Sequence, residues 1–105
     1  MSELWHPRPE DFRLTDIFKA LSDRVRLEIV VMASKADSQP CKVFAESIPK
    51  SSVSHHWRVL REAGLLRTVK HGTQRLNSLR REELDERFPG LLDAILDSAA
   101  GSTSK

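Results

Sequence analysis

The chain has 105 residues, of which 39% are hydrophobic and 30% are charged, and its formal net charge at pH 7 is +2. Domains usually span about 50–200 residues, so we expect one compact domain and no second folded unit. No run approaches the ~20 consecutive apolar residues of a membrane span, and the N-terminus shows neither the basic leader nor the apolar run of a secretion signal, so we expect a cytoplasmic protein.

Two helices are predicted to follow an extended N-terminal arm at residues 1–13. Pro7 and Pro9 disfavour helix in the arm and push the residues before them toward extended geometry. In the first helix, apolar residues at three- and four-residue spacing share one face: Leu14, Ile17, Phe18 and Leu21. Ser22 and Asp23 offer an N-cap for the second helix. The apolar residues of that helix repeat the helical period: Val25, Ile29, Met32 and Ala36.

The next two helices are predicted to form a helix-turn-helix. Asp37-Ser38-Gln39-Pro40 breaks the second helix, and Cys41 to Ser47 is long enough for about two turns of a third. Ile48-Pro49 predicts a turn, after which a fourth helix has an apolar inner face: Val53, Trp57, Leu60 and Ala63. Gly64 is expected to end it in the left-handed conformation that glycine adopts at helix C-termini. Two helices joined by a short turn, the second beginning with small polar residues, are typical of this motif.

A β-hairpin with a basic tip is predicted after the fourth helix. Residues 65–70 are strand-like, His71-Gly72-Thr73 contains a glycine suited to a tight turn, and residues 74–78 return. A final helical region, interrupted at Pro89-Gly90, has a long apolar stripe: Leu84, Phe88, Leu91, Leu92, Ile95 and Leu96. We expect residues 100–105 to be a disordered tail.

Positive charge is concentrated between Lys50 and Arg81. This segment has Glu62 as its one carboxylate, and its basic residues are Lys50, Arg58, Arg61, Arg67, Lys70, Arg75, Arg80 and Arg81. Clustered Lys and Arg release condensed counterions when they meet phosphates, so the segment indicates a polyanion as partner.

Two motifs resemble the ArsR/SmtB-type winged-helix repressors. The string S-x-V-S-H-H-x-x-V-L-R-E-A-G-L, between Ser51 and Leu65, looks like the family's recognition helix. Leu21-Ser22-Asp23-Arg24-Val25-Arg26-Leu27-Glu28-Ile29 resembles its second-helix signature, and a basic hairpin follows at the usual distance. The resemblance covers roughly residues 14–96. It implies a dimer formed through the first and last helices, and repression that an inducer relieves.

The chain departs from the metal-sensing members of that family. Where some of those members offer a C-x-C pair, this chain has Cys41-Lys42-Val43-Phe44. Others bind zinc with Asp and His ligands of the C-terminal helix, but the segment from Glu82 to Ala99 contains no histidine. One thiolate beside a lysine is a poor trap for soft metals. We therefore expect no metal and no cofactor, and the inducer is unknown.

Two sets of residues are predicted to contact double-stranded operator DNA. In the recognition helix they lie near the N-terminal end that enters the major groove: Lys50, Ser51, Ser52, Ser54, His55 and Arg58. In the hairpin, or wing, they would meet the phosphate backbone or the minor groove: Arg67, Lys70, His71, Gln74 and Arg75. The alternative for each set is an ordinary solvated surface. Adjacent helical residues point about 100° apart, so His55 would face DNA while His56 is partly packed, and the two do not form a chelating pair.

Cys41 has two open interpretations. At a helix start beside Lys42 its thiol pKa would be lowered, and it could act as a redox sensor. It could equally be a small buried hydrophobe, as free cysteine often is.

The sequence therefore predicts a mainly α fold with a small β-hairpin, a winged helix-turn-helix domain at residues 14–99. We expect a homodimer whose interface contains Leu14, Ile17, Phe18, Leu84, Phe88, Leu92 and Ile95. The predicted function is sequence-specific transcriptional regulation, most simply repression; the alternative is a winged-helix protein-interaction module. No enzyme is expected, because Ser54 and His55 diverge on a helix and no phosphate-cradling glycine loop occurs.

Overall fold

Helices and a small antiparallel sheet make up the computed structural model, which describes residues 5–35, 39–40, 50–72 and 74–103. A short 3₁₀ turn at Pro9–Asp11 precedes the other elements. The helices are α1 (Leu14–Leu21), α2 (Arg24–Ser34), α3 (Lys50–Glu62), α4 (Arg81–Arg87) and α5 (Leu91–Thr103), and the strands are β1 (Gln39–Pro40), β2 (Leu66–His71) and β3 (Gln74–Leu79). The predicted mainly α fold with a β-hairpin is confirmed. Within the described ranges, no helix combines the length and apolar character needed to cross a bilayer.

Helix α2 begins where the sequence predicts it. The Oδ1 atom of Asp23 accepts hydrogen bonds from the backbone N–H groups of Val25 at 2.8 Å and Arg26 at 3.1 Å. These two donors have no partner inside the helix, so the cap satisfies groups that would otherwise need water. The N-cap prediction for Asp23 is confirmed.

The buried face of α2 differs from the predicted one. Ile29, Val30 and Ala33 are buried, whereas Met32 is 38% exposed. The predicted spacing placed Met32 inside, but the face that packs is rotated by about one residue, because the core lies over Val30 as well as Ile29. Ala36, the last residue of the predicted face, lies outside the described residues.

The core collects apolar side chains from every helix and from the start of β2. Its members are Phe12, Ile17, Ala20, Ile29, Val30, Ala33, Trp57, Leu60, Ala63, Leu65, Leu66, Leu84 and Leu92. Trp57, Leu60 and Ala63 confirm the inner face predicted for α3; nothing is described of the Val53 side chain. The core packs α3 by this face, and residues on its opposite side are exposed.

The sheet is a hairpin with one added strand. Strands β2 and β3 pair from Leu66↔Leu79 to His71↔Gln74, as predicted. Strand β1 pairs with the other edge of β3 at Gln39↔Asn77 and Pro40↔Leu76. The sequence predicted only a helix break at residues 37–40, because a strand of two residues has no periodicity. The predicted third helix at residues 41–47 lies outside the described residues.

The described part of the N-terminal arm is held by contacts with the rest of the fold, and the last helix runs beyond its predicted end. The backbone carbonyl of Pro7 accepts a hydrogen bond from Arg80 Nη1 at 2.8 Å, and His6 Nε2 accepts one from the backbone N–H of Thr68 at 3.0 Å. Phe12 is buried in the core. At the other end, α5 continues through Thr103, so the tail predicted to be disordered from residue 100 is helical as far as the structure describes it.

Candidate nucleic-acid interface

Helix α3 has a polar, exposed side opposite its buried one. Ser54, His55 and Arg58 are exposed, while Trp57 and Leu60 are buried. Ser54 and Arg58 are four residues apart, so they lie one above the other on the same face. Lys50, Ser51 and Ser52 form the first turn of this helix. The structure thus brings Ser54, His55 and Arg58 together on the surface that the sequence assigned to DNA.

His56 lies on the protein side of α3 and is only 8% exposed. Its Nδ1 atom is 3.3 Å from Nη1 of Arg26, which reaches it from the first turn of α2. Arg26 Nε also donates to the backbone carbonyl of Ala20 at 2.6 Å. Arg26 has no role that the sequence predicts, because 30 residues separate it from His56 and no local pattern joins them.

Asp23 completes this contact group. Its Oδ2 atom lies 3.9 Å from Arg26 Nη1. The backbone hydrogen bond from Arg26 lowers the pKa of the Asp23 carboxyl below its ordinary value. The cap is therefore anionic at neutral pH and offsets the charge of the guanidinium beside it.

The wing carries like charges directly opposite each other. Lys70 on β2 pairs with Arg75 on β3, and both side chains are exposed. Neither makes an ion pair with any residue of the described ranges. Facing like charges are unfavourable across a strand pair in the absence of an anion. His71 and Gln74 end the two strands beside Gly72, whose φ of +65° suits the tight turn.

Arg67 is at the base of the wing and is tied to α4. Its Nη2 atom donates to Glu83 Oε1 at 3.2 Å. Glu83 also accepts two hydrogen bonds from Arg80. The hydrogen bonds and charge of Arg80, helped by Arg67, outweigh the opposing effect of burial and hold the pKa of the Glu83 carboxyl below its ordinary value. A DNA contact by Arg67 would have to compete with this ion pair.

The predicted dimer residues divide into two groups. Ile17, Leu84 and Leu92 are buried in the chain's own core, so their side chains have almost no exposed area to offer a second copy. Leu14 and Phe18 are exposed, Ile95 is half-buried, and Phe88 is half-buried with the Arg87 guanidinium 5.1 Å above its ring. Cys41, the predicted redox sensor, lies outside the described residues.

An open groove of about 420 Å³ runs between α1, α2 and α5 beside Phe18. Most of its lining residues are apolar: Phe18, Leu21, Leu27, Ala94, Ile95 and Ala99, together with the polar Ser98. Exposed contiguous apolar surface of this kind is typical of an interaction site.

Comparison with known proteins identifies the same motif in relatives. A family described as a helix-turn-helix domain matches residues 21–69. An uncharacterized HTH-type transcriptional regulator of Bacillus subtilis (strain 168) is 37% identical over 82 residues, which is 75% of this chain and 82% of the relative. Another, from Methanocaldococcus jannaschii, is 35% identical over 63 residues, 58% of this chain and 71% of the relative.

Solved structures share this fold over most of the chain. An ArsR-like transcriptional regulator from Rhodococcus sp. RHA1 is 26% identical, has a TM-score of 0.62, and aligns over 86% of this chain and 88% of its own. A crystal structure of an ArsR family transcriptional regulator has a TM-score of 0.63 over 88% of this chain and 97% of its own, and at 22% identity it supports the fold alone.

A helix-turn-helix followed by a basic hairpin defines a winged helix-turn-helix DNA-binding protein. A relative named as an HTH-type regulator aligns over most of its length, and an ArsR-like regulator of known structure aligns over most of both chains. The chain belongs to the ArsR-type family of HTH transcriptional regulators, as its recognition-helix and second-helix motifs predicted.

Proposed function

We propose that this regulator is a homodimeric repressor that recognises its operator with α3 and holds the DNA backbone with the β2–β3 wing. One observation carries the proposal: α3 is packed by its apolar face and presents Ser54, His55 and Arg58 to solvent. The wing adds exposed Lys70 and Arg75. The protein would act in the cytoplasm, as a DNA-binding regulator and not as an enzyme.

The two elements have different tasks in this proposal. A serine hydroxyl and an imidazole can exchange hydrogen bonds with base edges, and Arg58 can reach a guanine or a phosphate. Lys70 and Arg75 suit phosphates, which supply affinity without sequence information. An anion between Lys70 and Arg75 would also relieve the repulsion between them.

The second copy in the proposed dimer occupies the groove between α1, α2 and α5. Phe18 on α1 and Ile95 on α5 line this groove, and Leu14 is exposed one helical turn before Phe18. A two-fold axis through this face would place two α3 helices about 34–36 Å apart, one turn of DNA. The operator should then be an imperfect palindrome.

Fluorescence anisotropy tests the proposal on the DNA upstream of the protein's own gene, with a random duplex of equal length as control. We expect tighter binding to the upstream DNA, and an affinity that falls steeply with salt for both duplexes. Equal affinity for the two would exclude operator recognition. No binding to either would favour the alternative function, a winged-helix protein-interaction module.

The same binding experiment tests whether oxidation of Cys41 releases the operator. A ligand or modification releases the operator if it stabilises the form of the dimer that cannot bind DNA. Binding is therefore measured under reducing conditions and after peroxide, in the native protein and in Cys41→Ser. Loss of binding on oxidation only in the native protein would identify a thiol switch; indifference to peroxide would assign release to a different inducer.

A further inference from the structure

The side chain of Arg26 contacts residues of three helices, α1, α2 and α3. Its Nε atom donates to the carbonyl of Ala20 in the last turn of α1 at 2.6 Å. Its Nη1 atom lies 3.9 Å from the capping carboxylate of Asp23 and 3.3 Å from Nδ1 of His56 on α3. The Ala20 carbonyl is one of those left without a partner at the end of a helix. One side chain thus links the end of α1, the start of α2 and the middle of α3.

Burial excludes a direct role for this group in DNA contact. The Arg26 side chain is 12% exposed and His56 is 8% exposed. His55 and Arg58, the neighbours of His56 along α3, are both exposed. Any influence of Arg26 on base recognition must therefore act through the position of α3.

The direction of the Arg26–His56 contact follows from the chemistry of its two groups. A guanidinium has only donors, so the Nδ1 atom of His56 must accept and carry no proton. The neutral ring then has its proton on Nε2. A protonated Nδ1 would face the guanidinium donor to donor, and the contact would be lost.

This contact acts on the rotation of α3 about its own axis. The outer atoms of a helix lie about 5–6 Å from its axis, so a rotation of about 10° moves an exposed side chain by roughly 1 Å. Hydrogen bonds to base edges tolerate only a few tenths of an ångström. Contacts to phosphates by flexible wing side chains are less affected by such a rotation.

We propose that Arg26, through His56, is a positioning residue that fixes the angular setting of α3 and thereby the discrimination between operator and random DNA. This inference rests on the proposed operator recognition. It assigns specificity to a residue that touches no DNA. It also assigns a defined tautomer to His56, which can be measured without DNA.

The first test compares variants in operator and random-duplex binding. We expect Arg26→Met to weaken operator binding by about tenfold or more, as the loss of one base contact does, and random binding by less than about twofold. Arg24→Met is the matched control, since Arg24 lies on the same helix with its side chain 92% exposed. His56→Asn keeps an acceptor near the Nδ1 position and should retain discrimination, whereas His56→Leu should lose it. Equal losses on both duplexes for Arg26→Met would overturn the proposal.

The second test does not depend on DNA. Long-range ¹H–¹⁵N NMR spectra of the native protein, at a pH where the ring is neutral, should show His56 with Nδ1 unprotonated and Nε2 protonated. A proton on Nδ1 would overturn the proposal even if Arg26→Met failed to fold. Absence of operator preference in the native protein, with the expected tautomer present, would reject the proposed function and leave the contact itself established.

Discussion

Arg80 carries its charge in a place that water scarcely reaches, since its side chain is 3% exposed. The two carboxylate oxygens of Glu83 accept hydrogen bonds from Arg80 at 2.7 and 2.9 Å, and the carbonyl of Pro7 accepts a third. The Arg80 guanidinium also lies 4.9 Å above the ring of Phe12. Removing one partner of a buried pair is costly because the other charge is left unpaired. Arg80 therefore depends on Glu83.

Replacing Glu83 by Gln should lower the free energy of unfolding at pH 7 by about 1–3 kcal/mol. The neutral amide has one oxygen that accepts hydrogen bonds, whereas the carboxylate has two and also carries the charge that balances Arg80. Urea unfolding followed by circular dichroism measures it. Glu86→Gln, at an exposed position of the same helix, is the control and should change little. Equal effects of the two substitutions would contradict this account of Arg80.

The same substitution predicts a change in acid stability. The pKa of Glu83 is lowered in the folded protein, so its contribution is complete above its ordinary value of 4.5 and is lost as the pH falls through the folded pKa. Below about pH 4.5, Glu83→Gln should therefore lose stability less steeply than the native protein. Asp23, whose pKa is also lowered, contributes to the dependence of the unfolding free energy on pH in the native protein and in the variant alike. Parallel slopes would contradict the assignment.

Single residues were predictable where one periodicity decides their environment. The 3.6-residue repeat places Trp57 and Leu60 inside and Ser54 and Arg58 outside, and the structure agrees. The partners of Arg26 and Arg80 were not predictable, because His56 is 30 residues from Arg26 and Pro7 is 73 residues from Arg80. Such contacts depend on how elements pack, which no local pattern encodes.

Residue 64, which follows the end of helix α3, must be a glycine for two separate reasons. Its φ is +92°, a conformation that residues with a Cβ rarely adopt, and a Cβ there would lie 2.5 Å from the ring of Phe12. The backbone N–H of Leu65 then donates to the carbonyl of Leu60, which closes the end of the helix. This turn sends the chain from α3 into the wing.

Replacing Gly64 by Ala should lower the free energy of unfolding by about 2–4 kcal/mol, the sum of a strained φ and a displaced aromatic ring. Gly90→Ala is the matched control: its φ is +81°, but nothing lies within 4 Å of an added Cβ. That variant should cost only about 1 kcal/mol. Thermal or urea unfolding measures both, and equal costs would remove Phe12 from the explanation.

The wing and α3 should respond differently to alanine. Arg75→Ala should weaken binding to operator and random DNA alike, and should reduce the slope of log affinity against log salt by about two, one for each protomer of the dimer. Ser54→Ala and His55→Ala should reduce discrimination with little change in that slope. Anisotropy titrations at several salt concentrations measure both quantities. Equal losses on both duplexes for all three variants would contradict the division of tasks.

Elements were predictable in proportion to their length. The hairpin and the helices α1, α2 and α3 follow from periodicity, the Asp23 cap and the glycine positions, whereas strand β1 has two residues and was missed. The buried face of α2 was misplaced at Met32 because Leu27, Val30 and Val31 are also apolar, and tertiary packing chooses among them. The helical path of α5 beyond Ala100 was missed because its residues, Gly101, Ser102 and Thr103, are weak helix formers.

At the scale of the whole molecule, the groove between α1, α2 and α5 is the surface that the proposed dimer would cover. Several large apolar side chains are exposed in the described part of the chain, and two of them, Leu14 and Phe18, are on α1. Phe18 is 52% exposed and lines the groove together with Ile95. Ile17, Leu84 and Leu92 are buried in the chain's own core while Phe18 stays exposed, so Phe18 is available to the interface of the proposed dimer.

Replacing Phe18 by Glu tests that assembly with little effect on the protomer, because an exposed position tolerates a polar residue within about 0.5 kcal/mol. In a symmetric dimer the substitution occurs twice at one interface and buries two unpaired carboxylates. The dissociation constant of the dimer should therefore increase by about 100-fold or more. Sedimentation velocity over a concentration series measures the dissociation. Trp5→Glu is the control, since Trp5 is exposed but outside this groove. Operator binding should fall in parallel with dimer content, because one α3 reads only half a palindrome; a monomeric Phe18→Glu variant with native operator affinity would show that recognition does not require the dimer.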